Sequence, residues 1–140
     1  MKNQSQDLLR RALTGNAVFS IISGSIAAIL ASSLADLMGV NHVVLMVIGL
    51  GVIGFGITTL VNARRQPINL NEAKLTVIAD FSWVVTALVI ILIPDLLTGE
   101  GKLLLGSVSV VVGLFALTQT VGIRRAGSVE PKRLVATVEA

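Results

Sequence analysis

Residues 43–61 read VVLMVIGLGVIGFGITTLV, and this stretch decides the fold because it contains no charged side chain. Three other stretches share its apolar character, at residues 17–37, 75–97 and 103–123. Each is about 19–23 residues long, the length that a helix needs to cross a hydrocarbon core of about 30 Å. The sequence therefore predicts an all-α protein whose four helices form a transmembrane bundle.

The composition leaves little room for anything besides this bundle. The chain has 140 residues, of which 54% are hydrophobic and 14% are charged. These fractions are far from those of a soluble domain. We expect one membrane domain at residues 16–125, preceded by a cytoplasmic interfacial segment at 1–15 and followed by a cytoplasmic tail at 126–140. The sequence has no cysteine, so it excludes disulfides and thiolate metal sites.

The positive charges predict the orientation of the chain. Ten of the eleven Lys and Arg residues fall in the amino-terminal segment, the second loop and the carboxyl tail. The remaining one is Lys102, in the third loop. By the positive-inside rule, both termini and the second loop are cytoplasmic. The basic residues flank spans and suit lipid headgroups, so the lipid bilayer rather than nucleic acid is the expected partner.

The first apolar stretch could be mistaken for a signal peptide, because basic residues precede it and small residues occur near its end. It is longer than a typical signal core, so we expect a retained span.

Two short outer loops divide the chain into helical hairpins. Loops of about five residues make consecutive helices antiparallel neighbours. Each hairpin has an Asp before its outer turn, at Asp36 and Asp95, and ends its second span with an Arg pair. This likeness predicts two hairpins of the same orientation, a 2+2 repeat about an axis along the membrane normal. The alternative is that any two such hairpins share turn and stop residues.

Small residues recur along spans one, two and four. Lipid gives helices no hydrophobic reason to associate, so small residues that permit close backbone contact usually hold them together. They favour packing within the bundle, and they leave open a homo-oligomer or a larger membrane complex. The glycines that could form such a face are Gly49, Gly51, Gly54, Gly56 and Gly113.

Asp80 is the ionisable residue placed inside a span. It lies five residues past Leu75, about 8 Å along a helix. Acids inside the membrane are costly and commonly functional. Polar residues of other spans fall at a similar depth, so the layer is either a ligand pocket or proton-linked site, or a hydrogen-bonded lock in which Asp80 pairs with an arginine. The candidate ligand-binding residues are Asp80, Asn16, Gln119, Trp83, Arg64 and Arg65.

Other chemistry is not expected. Trp83 is one helical turn from Asp80, so its indole can donate to Asp80 or to headgroups. His42 is the single histidine and has no carboxylate cluster beside it, so we predict no metal site and a solvated side chain. The sequence carries no nucleotide-binding loop or hydrolase motif, and it indicates no cofactor. Small multidrug transporters have four spans in a similar length, but their buried acid in the first span is missing here.

A further pattern runs from Leu13 through Asn16-Ala17, Phe19-Ser20 and Ser23-Gly24, then Ala63-Arg64-Arg65, then Asp80 and Trp83-Val84. It resembles a group of small bacterial four-helix membrane proteins of unassigned function. The resemblance covers residues 10–125 and implies a location in the bacterial inner membrane. It carries no catalytic residue to transfer.

Two functions follow as expectations. The first is a non-enzymatic small membrane protein, an accessory or packing subunit or a homo-oligomer. The alternative is a binder or carrier of a small or lipophilic molecule that uses the polar layer around Asp80. A continuous cavity that reaches Asp80 would favour the binder, whereas a filled core with a flat glycine face would favour the subunit.

Overall fold

The computed structural model describes residues 2–128, and the fold over this range is entirely helical. Its helices are α1 (Lys2–Ile29), α2 (Ala31–Met38), α3 (His42–Arg64), α4 (Leu70–Leu92) and α5 (Gly99–Gly127). Four of them are long and apolar enough to cross a membrane, with candidate spans at Gln6–Ile29, His42–Arg64, Leu70–Leu92 and Gly99–Gly127. The predicted all-α fold is confirmed, and its four long apolar helices indicate a multi-pass membrane protein.

Helix α1 occupies the centre of the bundle. It packs against α3 on one side and α5 on the other, and α4 packs on α5. Helices α3 and α4 make few direct contacts although a short connection joins them. The bundle is therefore open between these two helices.

Helix boundaries do not coincide with the apolar stretches. Residues 7–13, which belong to the segment expected at the membrane interface, form part of the continuous α1, and Leu9 and Leu13 are fully buried. Together with Ala63, Ile68 and Ala73, they form the core of the inner end of the bundle, which is the end where α1 begins and α3 ends. The amino-terminal segment is thus packed against protein along this face.

The outer turns begin and end at residues with specific backbone requirements. Helix α2 ends at Met38, and the next residue, Gly39, has a φ of 75° in the left-handed region that favours glycine. Helix α4 ends at Leu92, before the limit of the apolar stretch at 97, because the residue before Pro94 is disfavoured in helical geometry. Thr98 then caps α5 by accepting a hydrogen bond from the Gly101 backbone N–H.

Thr98 also joins the two outer turns. Its backbone N–H donates to the carbonyl oxygen of Met38 at 3.1 Å, and its hydroxyl donates to the carbonyl oxygen of Leu37. At Gly101 a Cβ would lie 3.0 Å from the Met38 Cα, so glycine permits this close approach. The outer ends of the two hairpins are therefore tied together.

Glycines bring α1 and α3 into backbone contact. A Cβ at Gly24 would lie 2.7 Å from the Gly49 carbonyl oxygen, and one at Gly49 would lie 2.7 Å from the Gly24 carbonyl oxygen. A Cβ at Gly56 would lie 2.9 Å from the Ala17 carbonyl oxygen. Gly49 and Gly56 are consequently used inside the chain and are not available to another protein.

The remaining glycines of the predicted face differ. A Cβ at Gly51 or Gly54 would meet nothing within 4 Å, and one at Gly113 would make ordinary contact with Val84. The five glycines therefore do not form one surface.

Candidate functional site

A layer of polar side chains joins three helices in the inner half of the bundle. The side-chain amide of Asn16 donates to Asp80 Oδ2 at 2.7 Å, and that of Gln119 donates to the same oxygen at 3.3 Å. Ser20 donates to the amide oxygen of Asn16 at 3.3 Å. Asn16 and Gln119 are 0% exposed and Asp80 is 3% exposed. The structure thus brings together three of the six predicted site residues.

Helical periodicity explains why these residues meet. On α4 the buried positions are 73, 76, 80 and 87, and on α5 they include 112, 116, 119, 122 and 126. These spacings of three, four and seven residues define one face of a helix. Asp80 and Gln119 therefore lie on the core faces of their helices. Asn16 and Ser20 are four residues apart on α1, so they share a face as well.

A cavity of about 510 Å³ adjoins this layer. Phe19, Ser20, Asp80 and Trp83 line its inner end, and Met38 and Leu104 line its outer end. Nearly all of its wall is apolar, and it is partly open. The lining residues Ile48 and Gly51 are exposed in the middle of α3. The cavity therefore opens sideways, at the depth of the apolar helix segments and not at the ends of the bundle.

Trp83 lies against the cavity but does not bond to Asp80. Its indole Nε1 is buried and has no hydrogen-bond partner among residues 2–128. The expected hydrogen bond from Trp83 to Asp80 is therefore not found. Gln119 Oε1 and Thr59 Oγ1 are likewise buried without a partner within the same range.

The two arginines predicted at the site lie elsewhere. Arg64 and Arg65 are exposed, and Arg65 pairs with Glu72 at 2.5 Å. Glu72 precedes Asp80 by about 12 Å along α4, so the pair stands nearer the helix end than the polar layer. The expected pairing of Asp80 with an arginine is not found. The beginning of α4 is capped by Asn69, whose side chain accepts hydrogen bonds from the backbone N–H groups of Asn71 and Glu72.

Arg10 was not predicted to have a role, yet it binds the end of α3. Its guanidinium donates to the carbonyl oxygens of Ala63 and Arg65. The last carbonyls of a helix lack partners within the helix, and a cation there also favours the helix dipole. The sequence placed Arg10 among the flanking charges and gave no sign of this long-range contact.

The α3–α4 connection is held by a buried amide. Asn62 donates to the carbonyl oxygen of Asn69 at 3.1 Å and accepts from the Asn69 backbone N–H at 3.0 Å. Asn62 therefore stabilises the loop between α3 and α4. Thr58 bonds to its own helix at Phe55 and is exposed.

The outer end shows no assembled site in the described residues. His42, Asp36 and Asp95 are exposed. Asp36 lies within α2, whereas Asp95 lies in a non-helical turn with a φ of 57°. No group of three or more His, Cys, Asp or Glu residues is positioned to hold a metal ion between residues 2 and 128.

No protein-family model, curated protein sequence or solved structure matches this chain.

Proposed function

We propose that this protein is a non-enzymatic integral membrane protein that binds or carries a small lipophilic molecule in the cavity beside Asp80. The observation that carries the proposal is the continuity of this apolar cavity with the polar layer. Ligand sites have volumes of about 300–1,000 Å³ and combine apolar walls with a few polar groups. The cavity has both properties.

The size of the cavity supports an occupant. Protein interiors are close-packed, and an empty cavity costs roughly 24 cal/mol per Å³. This cavity is partly open, so the full cost of a sealed void does not apply, but wall atoms that contact nothing still lose packing energy. A lipophilic molecule or a lipid chain in the cavity removes most of that cost.

Binding can be followed without a label because Trp83 is the single tryptophan and lines the cavity. Dodecan-1-ol titrated into the protein in phosphatidylcholine nanodiscs should change its Trp83 emission saturably. Val52→Phe fills the cavity from α3 and should abolish that change. Val85→Phe is the matched control, since Val85 is exposed and not a lining residue. A signal that never saturates, or that Val52→Phe leaves intact, would contradict the proposal.

An accessory subunit or homo-oligomer is the second candidate function. It is supported by the open face of α3, where a Cβ at Gly54 would meet nothing within 4 Å and Val47 and Leu50 are exposed. Native mass spectrometry from nanodiscs reports stoichiometry and retained ligand together. A defined oligomer that Gly54→Leu dissociates would favour this function over the first.

We also propose that the protein lies in the cell (inner) membrane with both termini in the cytoplasm. The distribution of Lys and Arg in the sequence supports this orientation.

The 2+2 repeat is retained as a hypothesis on the sequence likeness of the hairpins. A twofold axis would map the α1–α5 contact onto an α3–α4 contact, and those helices barely touch. Any duplication has therefore diverged at the cavity.

A further inference from the structure

We propose that the occupant of the cavity is a lipophilic amine, bound with its ammonium group against the Asp80 carboxylate and its hydrocarbon portion toward Met38 and Leu104. This inference rests on the proposed function and specifies its ligand class. It begins from a buried carboxyl group that has amide partners and, among residues 2–128, no cationic partner.

Within residues 2–128, Asp80 has amide partners but no cationic partner. The salt bridge found within residues 2–128 is between Arg65 and Glu72. Amide hydrogen bonds satisfy acceptor sites on a carboxylate, but they bring no opposite charge. A charged group in an apolar environment is costly unless it is paired. The side of Asp80 toward the cavity is where a countercharge can be supplied by a ligand.

The hydrogen-bond pattern leaves an acceptor for that ligand. Both amides, from Asn16 and Gln119, donate to Oδ2. Asp80 Oδ1 accepts no hydrogen bond from any residue between 2 and 128, and Asp80 lines the cavity. An ammonium group donates hydrogen bonds and carries the opposite charge, so it meets both requirements of this oxygen.

Trp83 adds a second feature that favours a cation. It lines the same cavity one helical turn beyond Asp80. Indole is the best aromatic partner for a cation, and the attraction is strongest where water is excluded. An anionic head group would meet the charge of Asp80 without compensation, and a neutral alcohol would leave that charge unbalanced.

The rest of the cavity wall determines the chemical character of the ligand beyond its head group. Beyond Ser20 and Ser23 the wall is made of side chains such as Val52, Phe55 and Val108. Among the described residues, Asp80 is the one charged residue that lines it. The structure therefore assigns a molecule with one cationic end and a hydrocarbon body.

The test compares dodecylamine, dodecan-1-ol and dodecanoate in phosphatidylcholine nanodiscs that contain the full chain. These probes share a chain length and differ in head group. Emission of Trp83 should show dodecylamine binding at least about tenfold more tightly than dodecan-1-ol, with dodecanoate weakest. Concentrations are expressed as mole fraction in the nanodisc, so that differences in partitioning from water do not enter the comparison.

Asp80→Asn supplies the matched variant, since an amide keeps the shape of the side chain and removes its charge. In this variant the preference for the amine over the alcohol should fall to less than about twofold. The wild-type comparison decides the question even where the variant does not fold. Equal binding of amine and alcohol in the wild type would overturn the inference.

The two proposals fail in different ways. If all three probes bind equally and Val52→Phe blocks their binding, the lipophilic site is supported and the assignment of an amine is overturned. Loss of saturable binding for every probe would remove both proposals. A preference for dodecylamine that persists unchanged in Asp80→Asn would show that bilayer or headgroup charge causes it, and would also overturn the assignment.

Discussion

At the scale of single residues, the polar layer around Asp80 contains some atoms that are hydrogen-bonded and others that have no partner. Asp80 Oδ2 receives both amides, while Trp83 Nε1 and Gln119 Oε1 are buried without a partner in the described chain. Buried polar groups are usually hydrogen-bonded, and exceptions commonly mark a functional site. The layer therefore combines a structural lock with groups that remain available.

Substitutions at Asp80 test whether its hydrogen bonds with Asn16 and Gln119 stabilise the fold. Asp80→Leu would leave the Asn16 and Gln119 amides without their acceptor, so we expect unfolding free energy to fall by about 1–3 kcal/mol. Asp80→Asn should cost less, because its amide oxygen still accepts. Thermal unfolding in detergent micelles, followed by circular dichroism, measures both. Equal losses for the two variants would contradict the lock.

The glycines of α3 provide a second test. Gly49→Leu would force a side chain into the backbone of α1 and should destabilise the protein by about 1–3 kcal/mol. Gly54→Leu should leave the stability of the monomer within about 0.5 kcal/mol of wild type, because a Cβ at this position would meet nothing within 4 Å. Similar melting temperatures for the two variants would show that α1 and α3 do not cross at Gly49.

At the scale of elements, the inner helix ends are held by side chains from elsewhere in the sequence. Arg10 of α1 binds the last carbonyls of α3, and Asn62 of α3 bonds to both backbone groups of Asn69. These contacts order the loop that connects the hairpins. The α3–α4 connection is consequently part of the packed structure.

Substitutions at the adjacent residues Arg10 and Arg11 distinguish the effect of the capping contact from the effect of losing a positive charge. Arg10→Ala removes the donor at the end of α3 and should lower unfolding free energy by about 1.5–3 kcal/mol. Arg11→Ala changes charge equally at an exposed position and should have little effect. Hydrogen exchange at residues 63–65 should rise in Arg10→Ala alone. Equal exchange in both variants would argue against the cap.

At the scale of the whole molecule, the hairpins are joined at their ends and parted between α3 and α4. Thr98 ties the outer turns, and the core around Leu9 and Leu13 closes the inner end. The cavity lies between these two closures. Its position therefore follows from how the helices are joined.

The orientation of the bundle is testable because the natural chain has no cysteine. Single cysteines at Gln4 and Ser128 should resist a membrane-impermeant thiol reagent in intact cells, while one at Asn41 should react. All three positions are exposed, so access depends on the side of the membrane. Permeabilised cells supply the control, in which all three should react. Labelling at Gln4 or Ser128 in intact cells would overturn the proposed topology.

The sequence predicted features that depend on one helix at a time. Apolar length gave the four spanning helices, and depth along each helix placed Asn16, Asp80 and Gln119 at one level. It did not predict which glycines on α3 face α1. Gly49 and Gly56 lie on one side of the helix and Gly51 and Gly54 on the opposite side, and the spacing alone does not tell which side packs against α1. The cavity, the Arg10 cap and the Asn62 contact depend on packing between distant segments, so no local pattern reveals them.

The central place of α1 has a consequence for biosynthesis. A ribosome delivers α1 first, but Asn16 finds Asp80 only when α4 has emerged, and a Cβ at Gly122 of α5 would meet Leu9 at 2.9 Å. The first hairpin is therefore made before the Asn16 amide group has its acceptor on Asp80. Assembly closes around the oldest part of the chain and finishes only when the last helix is in place.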